Sequence, residues 1–265
     1  MVEQFWFGTS REKLLGVLRS PGEGENRWGC LFFPGFGQTK AGSYFIFSRL
    51  AQRLSAFMPT LQFDYRGWGD SQGESVDCTL ESLLTDAGEA VRELQRRTGC
   101  EYLMMIGAGF GNWIAARAGN RTPPAALVLL SPYREPLTAL WREAVPVPLT
   151  DEFVDTARLG DWSTGGPLLT TFQRLGEGLN RSKGIRVSAG LLEGLTSIHP
   201  VVWLKDYPGP VLEVQAAGEL QLDFLPHRRT VLVPRSDFML LHPADRELVV
   251  DEVTAWAQRL VEEAA

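Results

Sequence analysis

Few residues in this 265-residue chain are spaced for acid, base or nucleophilic work. His199, His227 and His242 are the only histidines and lie too far apart in sequence to suggest a metal cluster. Each is expected in an ordinary polar role, with His242, close to Asp237, the one best placed to bring an imidazole to a site. Cys30, Cys78 and Cys100 form an odd set without a C-x-x-C pair, so neither a zinc site, a redox pair nor a disulfide framework is expected. Cys30 falls in an apolar run and reads as a small buried hydrophobe. The most distinctive local pattern is Gly107-Ala108-Gly109-Phe110-Gly111-Asn112, which follows the apolar run Tyr102–Ile106 and precedes a helical pattern. It imitates a dinucleotide fingerprint at its first two glycines. Asn112 takes the third glycine position, however, and Leu127–Ser131 lies where an acidic residue should hold a ribose. A tight structural turn is therefore the expectation, and no cofactor is predicted.

Composition narrows the function further. The chain is 44% hydrophobic and 22% charged, which suits a large globular unit. With a formal charge of −6 it offers no general attraction to nucleic acid or to anionic lipid. No apolar run approaches the roughly 18 residues of a membrane span, and no signal-like segment opens the chain, so a cytoplasmic protein is expected.

The elements that must position any site follow from periodicity. Gln4–Phe7 and Leu14–Leu18 predict an antiparallel hairpin. Gly29–Phe33 predicts a buried strand stopped by Pro34-Gly35, and Phe45, Phe47, Leu50, Ala51 and Leu54 a helix after it. Pro59–Asp64 resumes a strand. Residues 79–97 carry a helical face of Leu80, Leu83, Leu84, Ala87, Ala90, Val91 and Leu94, closed by Gly99. Strand Tyr102–Ile106, helix Trp113–Ala118 and strand Ala126–Leu130 complete a βα alternation, which calls for a parallel sheet covered on both faces. From about Tyr133 to Pro200 strands stop and short helical patterns with scattered prolines suggest an insertion. Val211–Val214, Val231–Val233 and an amphipathic helix through Val249, Val253, Trp256 and Leu260 close the chain. Arg246-Glu247 and Asp251-Glu252 are expected on its wet face.

Three features on this frame resemble the α/β-hydrolase superfamily: Phe33-Pro34-Gly35-Phe36-Gly37-Gln38, Asp64-Tyr65-Arg66-Gly67-Trp68-Gly69-Asp70-Ser71, and the strand-turn-helix at Gly107. The resemblance covers nearly the whole chain. It implies an α/β-hydrolase fold, a mostly parallel doubly wound sheet with an N-terminal antiparallel hairpin and a helical lid. The core would be residues 1–133 and 206–265, with the lid at 134–205. The lid stretch from Thr171–Leu175 through Gly184–Leu192 further resembles hydrolase-related proteins of exosortase and exopolysaccharide gene clusters. That likeness implies a role beside a surface-polysaccharide or protein-sorting pathway.

The resemblance also says where catalytic groups should stand. In that family the nucleophile is the serine of G-x-S-x-G, and here Gly109 takes its place, which leaves no acyl-enzyme route. Phe238 takes the place of the base and Gln221 that of the acid. Asp70 and Ser71 are expected to support the loop by hydrogen bonding. What the resemblance preserves is backbone: the N–H groups of Phe36 and Phe110, in loops shaped by Gly35 and Gly37, would still face an oxyanion position. Such a hole with binding alone can retain roughly 10³–10⁴-fold catalysis over water. The leading expectation is a degenerate hydrolase that binds a small acyl or apolar ligand, or supports a partner enzyme or a homodimer. The alternative is a divergent esterase, thioesterase or lyase using His242, Asp237 or Glu219 as a new base. No metal is expected in either case.

Overall fold

A computed structural model describes residues 1–8, 11–22, 26–119, 123–132, 180–182, 185–187, 191, 194, 204, 207–217, 227–236, 240 and 242–264. Val2–Phe7 (β1) and Leu14–Arg19 (β2) pair antiparallel, from Val2 opposite Arg19 to Phe7 opposite Leu14. Alternation buries Phe5 and Phe7 and leaves Trp6 outside, as an edge strand with one covered face requires. Trp28–Phe33 (β3) is buried at every position, the signature of a strand with helices over both faces.

The helix after β3, Ile46–Leu54 (α1), buries Ile46, Phe47, Leu50, Ala51 and Leu54. Phe45 does not join it. It stands just before the helix with φ 63° and is 68% exposed, after Tyr44 at φ 49°. The Phe47 N–H reaches back to the Ala41 carbonyl, so the chain enters the helix through a left-handed turn that buries Phe47 and turns Phe45 outward.

Thr60–Phe63 (β4) leads to Leu80–Thr98 (α2), which starts at a capping box between Thr79 and Ser82 and stops at Gly99 in the left-handed region. Tyr102–Ala108 (β5), Phe110–Gly119 (α3) and Ala126–Leu130 (β6) follow. Inside the stretch expected to lack strands, Asn180–Ser182 (β7) and Ile185–Val187 (β8) form a short antiparallel ladder. The rest of the expected lid lies mostly outside the described residues. Val211–Ala216 (β9), Arg228–Val233 (β10) and Pro243–Glu263 (α4) end the chain.

The eight long strands form one sheet in the order β1-β2-β4-β3-β5-β6-β9-β10, antiparallel only where β2 meets β1 and β4. Residues of α2 and α3 close one apolar core against Leu31, Phe33, Leu61, Met105 and Leu129. Residues of α1 and α4 close the other against Cys30, Phe32, Ile106, Val128 and Val214. This is the doubly wound arrangement the alternation predicts. Such sheets place their working residues on the loops at the carboxyl ends of the central strands. Among the described residues no helix is long and apolar enough to cross a membrane.

Candidate functional site

At the carboxyl end of β5 the chain turns into α3 through one residue, Gly109, whose φ is +51°. A side chain there is strained, whereas glycine is not. Its two flanking glycines answer to space. A Cβ on Gly107 would meet the Asn112 nitrogen at 2.6 Å, and one on Gly111 would run into the carbonyl oxygens of Phe33 and Pro34. The G-x-G-x-G spacing therefore lets α3 sit directly on the ends of β3 and β5. The Gly109 N–H donates to the Leu130 carbonyl at 3.0 Å, and Asn112 Nδ2 donates to both the Gly109 and Leu130 carbonyls.

Phe33 lies opposite Gly107 in the β3–β5 register, so the loop after β3 lies beside this turn. In it the Gly35 N–H donates to Gln38 Oε1 at 3.2 Å, and Gln38 Nε2 donates to Ser43 Oγ at 2.7 Å. A Cβ on Gly35 would come within 3.0 Å of the Ala108 carbonyl oxygen. The buried rings of Phe36 and Phe110 meet edge to face with centroids 6.0 Å apart, and Trp68 packs on Phe36 at 5.5 Å. Among the described residues nothing accepts from the backbone N–H of Phe36 or Phe110.

The Asp64–Ser71 loop supports this arrangement from below. Asp64, fully buried, accepts from the Lys40 N–H at 2.5 Å, from Lys40 Nζ at 2.7 Å and from the Asp70 N–H at 3.0 Å. Lys40 also donates to Asp70, and Ser71 Oγ donates to the Asp64 carbonyl. Asp70 and Ser71 thus hold the loop, as expected of them. Burial works against the Lys40 charge, but the bonds to Asp64 and Asp70 outweigh it and hold the ammonium above its usual pKa. Arg66 and Asp86 form a second clamp, with Arg66 donating through its N–H, Nε and Nη2. Burial pushes the Asp86 carboxyl up while Arg66 pulls against it, and the bond to Asp86 in turn raises Arg66. Asp86 follows Leu83 by three residues and precedes Ala90 by four, which puts it on the buried face of α2, and the clamp is what compensates a carboxylate there.

Polar side chains also line the carboxyl ends of β6 and β9, where strand periodicity gave no warning. Ser131, at φ 46°, and Gln215 are buried, and Ser131 Oγ, Gln215 Oε1 and Asn112 Oδ1 find no hydrogen-bond partner among the described residues. Deeper in β9, Glu213 is fully buried and accepts from Arg228 Nη1 at 3.0 Å.

The residues expected to supply a base are only partly in view. His242 is exposed and caps α4, its Nδ1 accepting from the Ala244 N–H at 3.3 Å, while its own N–H donates to Ser236 Oγ. His227 is exposed before β10. Glu219, Gln221, Asp237, Phe238 and His199 lie outside the described residues. Within them, no group of histidine, cysteine and carboxylate side chains is arranged to hold a metal. Cys30, Cys78 and Cys100 are buried free thiols. Burial pushes Cys78 up to about 12, which keeps it a thiol near neutrality.

The family model described as the alpha/beta hydrolase family matches residues 30–265. The chain belongs to that family. Est1E from Butyrivibrio proteoclasticus, solved with bound ferulic acid, superposes on 96% of this α/β-hydrolase and 98% of its own chain, with a TM-score of 0.75 and 19% identity. Mouse alpha/beta hydrolase domain-containing protein 10 superposes on 97% of this chain and 99% of its own, with a TM-score of 0.65 and 16% identity. A curated relative, the lysophosphatidylserine lipase ABHD12 of Danio rerio, is 31% identical over 109 residues, which span 39% of this chain and 27% of that protein.

Proposed function

We propose that this α/β-hydrolase is catalytically degenerate and that its former active site binds a small acyl or apolar ligand without covalent turnover. The observation that carries this reading is Gly109, which occupies the left-handed turn between β5 and α3 without a side chain. A ligand carbonyl lodged at this turn would accept hydrogen bonds from the Phe36 and Phe110 N–H groups. Above Gly109, however, its carbon would meet no side chain at the position that holds the nucleophile in the family pattern. Phe36, Phe110 and Trp68 would supply the apolar wall beside the acyl chain. The glycine also relieves the strain that a serine would carry at this backbone angle, so losing the nucleophile stabilises the turn. The exosortase-like stretch would place such a binder beside a surface-polysaccharide or protein-sorting pathway.

Binding of ethyl decanoate, followed by tryptophan fluorescence, tests the proposal. The unaltered protein is expected to saturate. Gly109→Asn, a residue the left-handed region tolerates, projects an amide into the carbonyl position and is expected to lose binding. Equal binding by the two proteins would overturn the assignment of the site.

A further inference from the structure

Three residues with buried side-chain oxygens neighbour one another at the carboxyl ends of β6 and β9 and the start of α3. Asn112 is 0%, Gln215 3% and Ser131 6% exposed, and Asn112 Oδ1, Gln215 Oε1 and Ser131 Oγ have no hydrogen-bond partner among the described residues. Their backbones are tied around Leu130. Asn112 donates from the other end of its amide to the Leu130 carbonyl at 2.9 Å. Ser131 follows Leu130 and donates its N–H to the Val214 carbonyl at 2.8 Å, and Gln215 follows Val214. Ser131 is moreover fixed at φ 46°, a conformation few residues other than glycine adopt. A buried acceptor without a donor is destabilising, and an apolar side chain of similar shape would remove the penalty. Two amide oxygens and a hydroxyl, on residues fastened to Leu130 and Val214 or adjoining them and next to Gly109, suit a group from outside the chain that donates one hydrogen bond and accepts another.

We infer that the ligand site proposed beside Gly109 includes a subsite for a hydroxyl group of its ligand, formed by Asn112, Ser131 and Gln215. The inference rests on the ligand-binding reading of that pocket and narrows its ligand to an acyl compound with a free alcohol. The set is rich in acceptors, which disfavours a carboxylate or phosphate at this end of the ligand. It holds no carboxylate to balance an ammonium, since the nearby Glu213 on β9 is engaged by Arg228. A neutral alcohol matches both conditions. Because the oxygens are buried, a hydroxyl reaching them forms its bonds without competition from bulk water.

Two esters that differ by one hydroxyl test this directly: ethyl decanoate and 2-hydroxyethyl decanoate, titrated calorimetrically into the full chain. The hydroxylated ester is expected to bind roughly threefold to tenfold more tightly, the worth of one net hydrogen bond. That ratio should fall to about one in Gln215→Leu and in Ser131→Gly, the second chosen because glycine suits φ 46°. Thermal melts establish that each variant is folded, and Gln215→Leu, which removes an unpaired acceptor, is expected to melt no lower than the parent. Equal affinities in the unaltered protein, as a trapped water in the subsite would give, overturn the inference while leaving the ligand-binding reading intact. A ratio that survives both substitutions overturns it too. If neither ester binds, both readings fall together.

Discussion

Gly109 donates its N–H to the Leu130 carbonyl at 3.0 Å, so the turn that would carry a nucleophile is fastened to the neighbouring strand by its own backbone. Asn112 Nδ2 donates to the same oxygen at 2.9 Å. The turn therefore keeps its shape without help from the side chain at 109, which is why a glycine can stand there.

Gly109→Ser is expected to fold with a stability loss of about 1–3 kcal/mol, the usual cost of a left-handed non-glycine residue. Equilibrium unfolding in urea measures it. On the proposed reading, in which Phe238 stands at the base position, the substitution alone should not create esterase activity, because a hydroxyl without a base to take its proton is a weak nucleophile.

Gly111→Ala should be far more damaging. Its Cβ would run into the carbonyl oxygens of Phe33 and Pro34, which are backbone atoms and cannot swing aside. Forcing α3 off the sheet is expected to cost more than about 3 kcal/mol, beyond what most single substitutions cause. A soluble Gly111→Ala protein with an unchanged melting temperature would contradict the close approach described here.

Lys40 gives a test at alkaline pH. Its pKa is raised in the folded state, so its contribution to stability is fully present below the ordinary lysine value, about 10.4. It is then lost as pH rises through the raised folded value. Urea midpoints of the unaltered protein should therefore fall more steeply above that pH than those of Lys40→Met. The variant itself should be destabilised by roughly 3 kcal/mol at neutral pH, because Asp64 is left buried without its counter-charge.

Asp245 gives the opposite test at acid pH. Burial raises its pKa, but the N–H groups of Arg235 and Ser236, the Ser236 hydroxyl and the charge of His242 outweigh that and leave it lowered. A depressed carboxyl contributes stability above its unfolded pKa and loses it as pH falls through the folded value. The unaltered protein should lose stability more steeply than Asp245→Asn below about pH 4, the ordinary aspartate range.

The sheet and its helices were largely legible because their signals are local. Alternation marked β1 and β2, a long apolar face with a closing glycine marked α2, and glycine spacing marked the turn at Gly109. What escaped depends on distant partners. Phe45 continues the helical pattern in sequence, yet the turn through Gly42 and Tyr44 leaves it outside α1. The helical period puts Asp86 on the buried face of α2, but its partner Arg66, 20 residues away, is a meeting that no period encodes. Ser131 follows the apolar run of β6 and Gln215 lies among apolar residues of β9, and only the pairing of β6 with β9 brings the two residues near each other. The family positions of the base and acid, Phe238 and Gln221, were read from resemblance, and they lie outside the described residues.

Turnover by the purified chain tests the central claim most directly. A panel of nitrophenyl esters and acyl-thioesters, run beside a His242→Ala variant and a blank without protein, gives the answer in one experiment. The account predicts rates at the blank for both proteins. A rate well above it in the unaltered chain would contradict the proposal of a ligand-binding, non-catalytic site, and its loss in His242→Ala would show that a working base exists despite Gly109.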